Sequence, residues 1–223
     1  LVDQIEEKLG FKISQKWFDE LALHTQIVVK KSEINYSHGR LIYSFVRSHI
    51  KNNNLKNICI LETGTARGFS SICMSKAIFD SKIHGKIITI DRIPHNLKIY
   101  WNCIDDLERK KTRKELLEPW ENLLENIIFI TGDTILEIEK LGLERVNFAF
   151  LDAQHTYDYV ISEYKLTNQL QKSGDLIFFD DYTPLLFPGV VKAVNDIVDS
   201  KIYSISERIS NSNERGYILA QKN

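Results

Sequence analysis

The stretch NICILETGTARGFSS, residues 57–71, decides how this chain folds. Its first half is dominated by apolar and β-branched residues, which predicts a buried strand. Gly64 and Gly68 follow at once and indicate a tight turn. Ser70 and Ser71 then open a helical pattern. A strand that passes through a glycine turn into a helix predicts the start of a parallel strand–helix–strand unit.

The same order of a short apolar run and a helical pattern recurs along the chain. Further runs rich in β-branched residues lie at 86–91, 127–131, 146–152 and 175–181. They are apolar on both faces, as strands of a parallel sheet covered by helices are. Two last runs, at 201–209 and 215–222, are joined by a turn-forming segment and predict a terminal antiparallel hairpin.

These elements predict an α/β fold with a doubly wound sheet of seven strands, five of them parallel and two in the C-terminal hairpin. An N-terminal helical cap over about 1–55 precedes the first strand, and a helical insertion over about 92–126 follows the second. We expect one domain over residues 1–223, because no linker or internal repeat divides the chain. The basic stretch 109–114 is predicted to be a solvated helix face.

Composition excludes several classes of function. The chain is 43% hydrophobic and carries 29 basic against 30 acidic residues. A near-neutral chain lacks the positive charge of a protein that binds phosphate backbones, so we expect no nucleic-acid partner. There is no apolar run of about 18 residues and no signal-peptide pattern, so we expect no membrane partner. The three cysteines form no cluster and fit a cytoplasmic location.

Acidic residues end, or directly follow, each predicted parallel strand. They are Glu62, Asp91, Asp133, Asp152 and the pair Asp180-Asp181. The carboxyl ends of parallel strands form the ligand-binding edge of a doubly wound sheet. We therefore expect the functional site at this edge.

The glycine turn is predicted to bind a nucleoside ligand. Gly64 and Gly68 allow the backbone to approach a ligand, although a plain strand-to-helix turn would also use them. Asp91 ends the next strand, where a carboxylate can accept both ribose hydroxyls. Glu62 would repel a phosphate but suits a cationic ammonium or sulfonium group. The wide glycine spacing and Glu62 thus favour S-adenosylmethionine over NAD.

On these residues the chain resembles the class I S-adenosylmethionine-dependent methyltransferases. More narrowly, it is similar to the metal-dependent O-methyltransferases, which include the catechol, caffeoyl-CoA and macrocin-type sugar enzymes. The resemblance is strongest over 57–91 and 127–190. It implies a Rossmann-like fold and S-adenosylmethionine as cofactor.

The resemblance also implies which residues contact the cofactor. The methionine part would contact the residues of the turn, namely Glu62, Gly64, Thr65, Gly68 and Ser70. Asp91 would bind the ribose. Asp133 would face the adenine amino group, and it can at the same time cap the helix that follows it.

Three carboxylates suggest a metal site, because Asp152 ends the fourth strand while Asp180 and Asp181 end the fifth. If those strands are neighbours, the carboxylates converge, and protons or a divalent cation must balance them. The ligand spacing of the metal-dependent family is reproduced, so the resemblance implies that these three residues bind a metal, with Mg²⁺ favoured over Ca²⁺ or Mn²⁺. Without a metal they would form a helix cap and a turn.

His155 is the candidate catalytic base. It lies three residues after Asp152, at the position of the catalytic lysine in the catechol-type enzymes. In the sugar-modifying relatives an aspartate two residues after the metal ligand has this role, but that position is Gln154 here. The base is therefore His155, which is suited to proton transfer near neutral pH, or no residue if the metal suffices.

The sequence thus predicts an S-adenosylmethionine-dependent O-methyltransferase that acts on a hydroxyl of a small molecule or sugar with a divalent metal. The segment 182–190 would form an apolar wall beside the acceptor or pack the next helix, and Arg67 and Arg113 are candidates for binding an anionic acceptor. Two alternatives stay open, an NAD-type oxidoreductase and a non-catalytic module that binds S-adenosylmethionine. A homo-oligomer also stays open.

Overall fold

The structure is a computed structural model that describes residues 1–26, 36–102, 109–210 and 216–223. Three parts of the sequence predictions lie outside the described residues. They are residues 27–35 of the predicted N-terminal cap, residues 103–108 of the predicted insertion, which include Cys103, and residues 211–215 of the predicted hairpin.

Within the described residues, seven strands form one sheet. They are β1 (Asn57–Thr63), β2 (His84–Asp91), β3 (Ile127–Thr131), β4 (Phe148–Leu151), β5 (Leu176–Phe179), β6 (Tyr203–Ile209) and β7 (Tyr217–Lys222). Their order across the sheet is β3-β2-β1-β4-β5-β7-β6. The first five strands are parallel, and β7 pairs antiparallel with both β5 and β6. The predicted fold class, a doubly wound α/β sheet with a terminal antiparallel hairpin, is confirmed.

Helices cover both faces of this sheet. They are α1 (Val2–Leu9), α2 (Gln15–Thr25), α3 (Ser37–Asn52), α4 (Phe69–Ser81), α5 (Arg113–Leu116), α6 (Glu121–Leu124), α7 (Thr134–Lys140), α8 (Tyr157–Gln169) and α9 (Pro188–Asp199). One core joins α1, α2, α3 and α4 to one face of the sheet, and a second core joins α7, α8 and α9 to the other. No helix within the described part of the chain is long and apolar enough to span a membrane.

The side chains of the central strands alternate between the two cores. Ile60 and Phe148 belong to the core beneath α3 and α4, whereas Leu61 and Ala149 belong to the core beneath α8 and α9. All four are fully buried. Successive residues of a strand point to opposite faces, so a strand covered on both faces has no side that faces solvent. This explains why the sequence shows continuous apolar runs.

The basic stretch 109–114 is not the solvated helix face that the sequence predicted. The helix begins only at Arg113, after a capping box formed by Thr112 and Glu115. Arg113 is 1% exposed, with its guanidinium 5.2 Å from the centre of the Trp101 ring and 5.7 Å from that of Phe129. The prediction is wrong because these aromatic partners lie in other segments, so the local run of charges does not reveal them.

Candidate functional site

The turn between β1 and α4 requires glycine at two positions. Gly64 and Gly68 have φ angles of 87° and 86°, which side chains other than glycine rarely adopt. A Cβ atom at Gly64 would overlap the carbonyl group of Asp152, and one at Gly68 would lie 2.7 Å from Leu117. The glycine turn therefore lies directly against the end of β4.

Glu62 lies beneath the turn and is fully buried. Its two carboxylate oxygens accept hydrogen bonds from the hydroxyls of Ser70 and Ser71, at the start of α4. Burial raises the pKa of Glu62 to about 7, although these hydroxyls act in the opposite direction. Thr65 is buried as well and lies 2.5 Å from the hydroxyl oxygen of Thr89. The predicted contacts of these residues with a cofactor stay a prediction.

Asp91, the predicted ribose ligand, is held at the edge of the same turn. Its Oδ2 accepts a hydrogen bond from the Ala66 N–H at 2.6 Å, and its Oδ1 accepts one from the Ile93 N–H at 2.8 Å. Each carboxylate oxygen has two lone pairs, so both can still accept a ribose hydroxyl. The backbone thus fixes the carboxylate in a position suited to its predicted role.

Arg113 supports this arrangement from the insertion. Its Nε donates to the carbonyl of Ala66 at 3.0 Å, and its Nη2 lies 3.8 Å from Asp91. Burial lowers its pKa. The side chain is closed off from an acceptor, so the prediction that Arg113 recognises an anionic acceptor is wrong. Arg67, the other candidate, donates to the Trp101 carbonyl at 2.8 Å.

Asp133 caps α7, as the sequence predicted. Its Oδ1 accepts hydrogen bonds from the N–H groups of Ile135 and Leu136, at 3.1 and 3.4 Å. Its Oδ2 accepts one from the Tyr159 hydroxyl at 3.1 Å and pairs with Arg92. The Arg92 guanidinium lowers the pKa of this carboxyl. The contact of Asp133 with an adenine amino group stays a prediction.

A cavity of about 280 Å³ lies at these strand ends. Its described walls are Gly64, Ala66, Ile90, Asp91, Arg92, Ile93, Thr134, Asp152, Ala153, Gln154 and Tyr159. The sequence predictions did not include Arg92 or Tyr159. Arg92 directly follows Asp91 and could have been found from its position. No local signal marks Tyr159, because it differs little from the other residues of an amphipathic helix.

The neighbouring strands β4 and β5 bring two of the predicted metal ligands together. Nε2 of His155 lies 3.3 Å from Oδ1 of Asp152 and 2.9 Å from Oδ2 of Asp181. One donor atom from each of these three residues lies within 4.8 Å of the others. We call these three residues the acidic cluster. Asp180 is buried beside it, and its Oδ1 accepts a hydrogen bond from the Asp181 N–H at 2.7 Å.

Two features show how the protein holds the acidic cluster. Asp181 is fully buried and has a φ of 55°, a conformation that is uncommon for residues other than glycine. Such a conformation persists when the surrounding structure imposes it. Hydrogen bonds to Asp152 and Asp181 raise the pKa of His155 to about 10, which favours a protonated ring between the two carboxylates.

The segment after Asp181 borders the acidic cluster with apolar side chains. The Phe187 ring lies 4.5 Å from the His155 ring. Leu185 and Leu186 are 88% and 66% exposed, which is unusual for leucine. We call residues 185–187 the apolar rim. It lies within the segment 182–190, and its contact with an acceptor stays a prediction.

A second cavity, of about 790 Å³, lies at the opposite edge of the sheet. Its walls include Lys56, His84, Lys86 and Arg145, near the amino ends of the strands. Ligands of doubly wound sheets bind at the carboxyl ends, and this cavity contains none of the predicted site residues. We therefore place the candidate site at the smaller cavity.

Comparisons with known proteins identify a sequence family and a set of similar folds. The sequence profile of a family described as "Methyltransferase domain" matches residues 61–182, which is more than half of the chain. This range runs from the glycine turn to the acidic cluster and includes the whole described wall of the smaller cavity. No curated protein sequence matches the chain.

Several solved structures share the fold. The O-methyltransferase TomG from Streptomyces achromogenes, in complex with SAM, is 15% identical with a TM-score of 0.66, covering 95% of this chain and 92% of TomG. An O-methyltransferase from Bacillus cereus in complex with SAH is 17% identical with a TM-score of 0.63, covering 95% and 92%. The O-methyltransferase NovP is 14% identical with a TM-score of 0.66, covering 95% and 100%. At such identities the likeness establishes the fold, and the predicted Rossmann-like fold is confirmed.

Proposed function

Since this chain belongs to the methyltransferase domain family, as its resemblance to class I methyltransferases predicted, we propose that it transfers a methyl group from S-adenosylmethionine to a hydroxyl group of a small molecule or sugar. The observation that carries this proposal is the double position of Asp152. This residue lines the 280 Å³ cavity beside the glycine turn and also belongs to the acidic cluster. A cofactor in the cavity and an acceptor at the cluster would therefore meet, as direct transfer requires.

The strand order supports one direction for the proposed cofactor. Asp91 ends β2, which lies between β3 and β1, and Asp152 follows β4 on the other side of β1. With the ribose on Asp91, the sulfonium methyl group must face Asp152 to reach an acceptor. The adenine ring then points the other way, toward Thr134 and Tyr159 in the same cavity wall.

The acidic cluster has donor atoms that suit a divalent cation. Asp152 and Asp181 offer carboxylate oxygens, which Mg²⁺ and Mn²⁺ prefer. Asp180, buried beside them, stays the further candidate ligand that the resemblance implies. A cation bound there would lower the pKa of an acceptor hydroxyl. We include this metal dependence, with Mg²⁺ as the first ion to test, in the proposed function.

The side chains around the acceptor have separate roles in this proposal. His155 is the candidate base, and it must first lose the proton that it shares with Asp152 and Asp181. Gln154 lines the cavity and can orient an acceptor by hydrogen bonding, but an amide cannot take up a proton. The apolar rim favours an acceptor that carries an apolar part next to its hydroxyl group.

Calorimetry with S-adenosylmethionine, with and without Mg²⁺ or Mn²⁺, tests the proposal. We expect the wild type to bind the cofactor, and we expect a divalent cation to bind to the wild type but not to Asp152→Ala. Asp158→Ala is the matched control, because Asp158 is an exposed aspartate of α8. Absence of cofactor binding would overturn the proposal, and binding of NAD instead would support an oxidoreductase.

Turnover with a labelled methyl donor separates an enzyme from a binding module. A panel of small hydroxylated acceptors, including sugars and catechols, should show label transfer that depends on a divalent cation. Cofactor binding without cation binding would leave methyl transfer in place but remove the metal from the proposal. Transfer to an amine with no transfer to any hydroxyl would contradict O-methylation.

A further inference from the structure

We propose that Tyr159 recognises the adenine ring of the cofactor and selects it over a 6-oxo purine, an inference that rests on the proposed function. Tyr159 lies in α8 and lines the 280 Å³ cavity together with Thr134 and Asp91. Asp133, which the resemblance assigns to the adenine amino group, is absent from the described walls of that cavity. Tyr159 therefore lies between Asp133 and the space for the ring.

The carboxylate of Asp133 has its hydrogen-bonding positions filled by the protein. Its Oδ1 accepts from the N–H groups of Ile135 and Leu136, and its Oδ2 accepts from Tyr159 and from Arg92. A carboxylate has about four lone-pair sites. An adenine amino group would have to displace one of these donors, so Asp133 acts on the ring through Tyr159.

The hydroxyl of Tyr159 also belongs to a chain of hydrogen bonds. It lies 3.1 Å from Oδ2 of Asp133 and 2.9 Å from Oγ1 of Thr134. Oγ1 of Thr134 lies in turn 2.6 Å from Oε1 of Glu163. Glu163 is buried one helical turn after Tyr159, so α8 presents both residues to α7.

The hydroxyl of Tyr159 donates to Oδ2 of Asp133. If Glu163 is ionised, Thr134 donates to it, and the single proton of Tyr159 must serve both Asp133 and Thr134. If Glu163 is protonated, it donates to Thr134, Thr134 donates to Tyr159, and Tyr159 donates to Asp133. All three contacts then have a proton. Burial raises the pKa of Glu163 to about 7, so both states exist near neutral pH. In both states the Tyr159 oxygen can donate to Asp133 and keeps at least one lone pair.

With this orientation, the Tyr159 oxygen is a hydrogen-bond acceptor that faces the cavity. A phenol oxygen that donates to Asp133 and accepts from Thr134 keeps one lone pair for a ligand. The 6-amino group of adenine can donate to that lone pair. The 6-oxo group of hypoxanthine would instead place a second hydrogen-bond acceptor against it, and two facing acceptors form no hydrogen bond.

The test measures the ratio of two affinities by calorimetry, with S-adenosylhomocysteine and S-inosylhomocysteine as probes. The wild type should bind the adenine compound more tightly by about 10-fold or more, and Tyr159→Phe should lose most of that ratio. Tyr157→Phe is the matched control, because its hydroxyl in the same helix donates to Asp196, at 2.8 Å, and that residue is no part of the cavity wall. The control should keep the wild-type ratio.

The outcomes separate this inference from the proposed function. If the wild type binds neither probe, the inference and the proposed function are both contradicted. If it binds S-adenosylhomocysteine and Tyr159→Phe keeps the full ratio, the role of Tyr159 is overturned while the proposed function stands. A loss of ratio in Tyr157→Phe as well would show a general effect on α8 and would likewise overturn it. A ratio lost in Tyr159→Phe alone supports the inference.

Discussion

The negative charge of the carboxylates is compensated differently in the two halves of the ligand-binding edge. At the ends of β1, β2 and β3, Glu62, Asp91 and Asp133 accept hydrogen bonds from serine hydroxyls, backbone N–H groups and the Arg92 side chain. After β4 and β5, two carboxylates from different loops meet at one ring nitrogen of His155. We call the first region the cofactor half and the second the acceptor half.

The difference indicates a division of labour. Donors that come from the adjoining loops and helices fix the shape of the cofactor half. The acceptor half concentrates negative charge, which must be balanced by a proton or a cation. Such a site is suited to binding a cation or receiving a proton, whereas the cofactor half is suited to holding a ligand of defined shape. Four predictions test this contrast, ordered from the largest expected effect to the smallest.

Asp152→Ala should remove the chemistry of the acceptor half and leave the fold intact. We expect methyl transfer to fall by about 10²- to 10³-fold, as when one electrostatic contact to a transition state is removed. The glycine turn contacts the backbone carbonyl of Asp152 and not its side chain, so the turn should keep its position. Steady-state kinetics measures the loss, with Asp158→Ala as the exposed control. Equal losses in both variants would contradict the role of the cluster.

Glu62→Gln should alter how stability depends on pH in the cofactor half. The pKa of Glu62 is raised from its usual value of 4.5 to about 7. Between these values the folded state keeps a proton that the unfolded state has released. The contribution of protonated Glu62 to the free energy of unfolding is therefore fully present below pH 4.5. It is lost as pH rises through 7, by about 3 kcal/mol in total.

Urea unfolding at pH 5 and pH 8 measures this effect. The free energy of unfolding should fall between pH 5 and pH 8 in the wild type. It should fall less in Glu62→Gln, because this variant lacks the titratable group. Glu139→Gln, at an exposed glutamate of α7, is the control and should follow the wild-type curve. An unchanged dependence on pH in Glu62→Gln would show that Glu62 is not held protonated.

Gly64→Ala tests the contact between the two halves, and Gly174→Ala is its matched control. Their φ angles are 87° and 88°, so alanine has the same backbone penalty at both, of about 1 kcal/mol. A Cβ at Gly174 meets nothing within 4 Å, whereas one at Gly64 overlaps Asp152. We expect Gly64→Ala to lower the free energy of unfolding by about 2 kcal/mol more than Gly174→Ala. Equal losses would mean that the turn and β4 can move apart.

Leu185→Ser should affect only the apolar rim. The side chain is 88% exposed, so the free energy of unfolding should change by less than about 0.5 kcal/mol. For an acceptor with an apolar part, we expect KM to rise by up to about 10-fold with little change in kcat. Leu136→Ser, at an exposed leucine of α7, is the control. An unchanged KM would place the acceptor away from the rim.

The sequence predicted more of the cofactor half than of the acceptor half. The turn at Gly64 and the helix cap at Asp133 follow from local patterns, and Asp91 ends the strand that pairs with β1. In the acceptor half the sequence predicted the carboxylates but gave His155 a role as base. The structure adds that its ring lies between two carboxylates from different loops. The position of the ring depends on the path of the chain between β4 and α8, where His155 lies.

By itself, the sequence determined the strands, the long helices beside the sheet and the edge at which the acidic residues gather. Hydrophobic periodicity and glycine turns are local properties, and they state which face of an element is buried. The tertiary structure alone decided that Arg113 is buried beneath the glycine turn and that Tyr159 joins Asp133 to Glu163 through Thr134. These contacts join residues that are far apart in the sequence, and no periodic pattern predicts which of them meet. Only the packing and the register of the elements bring them together.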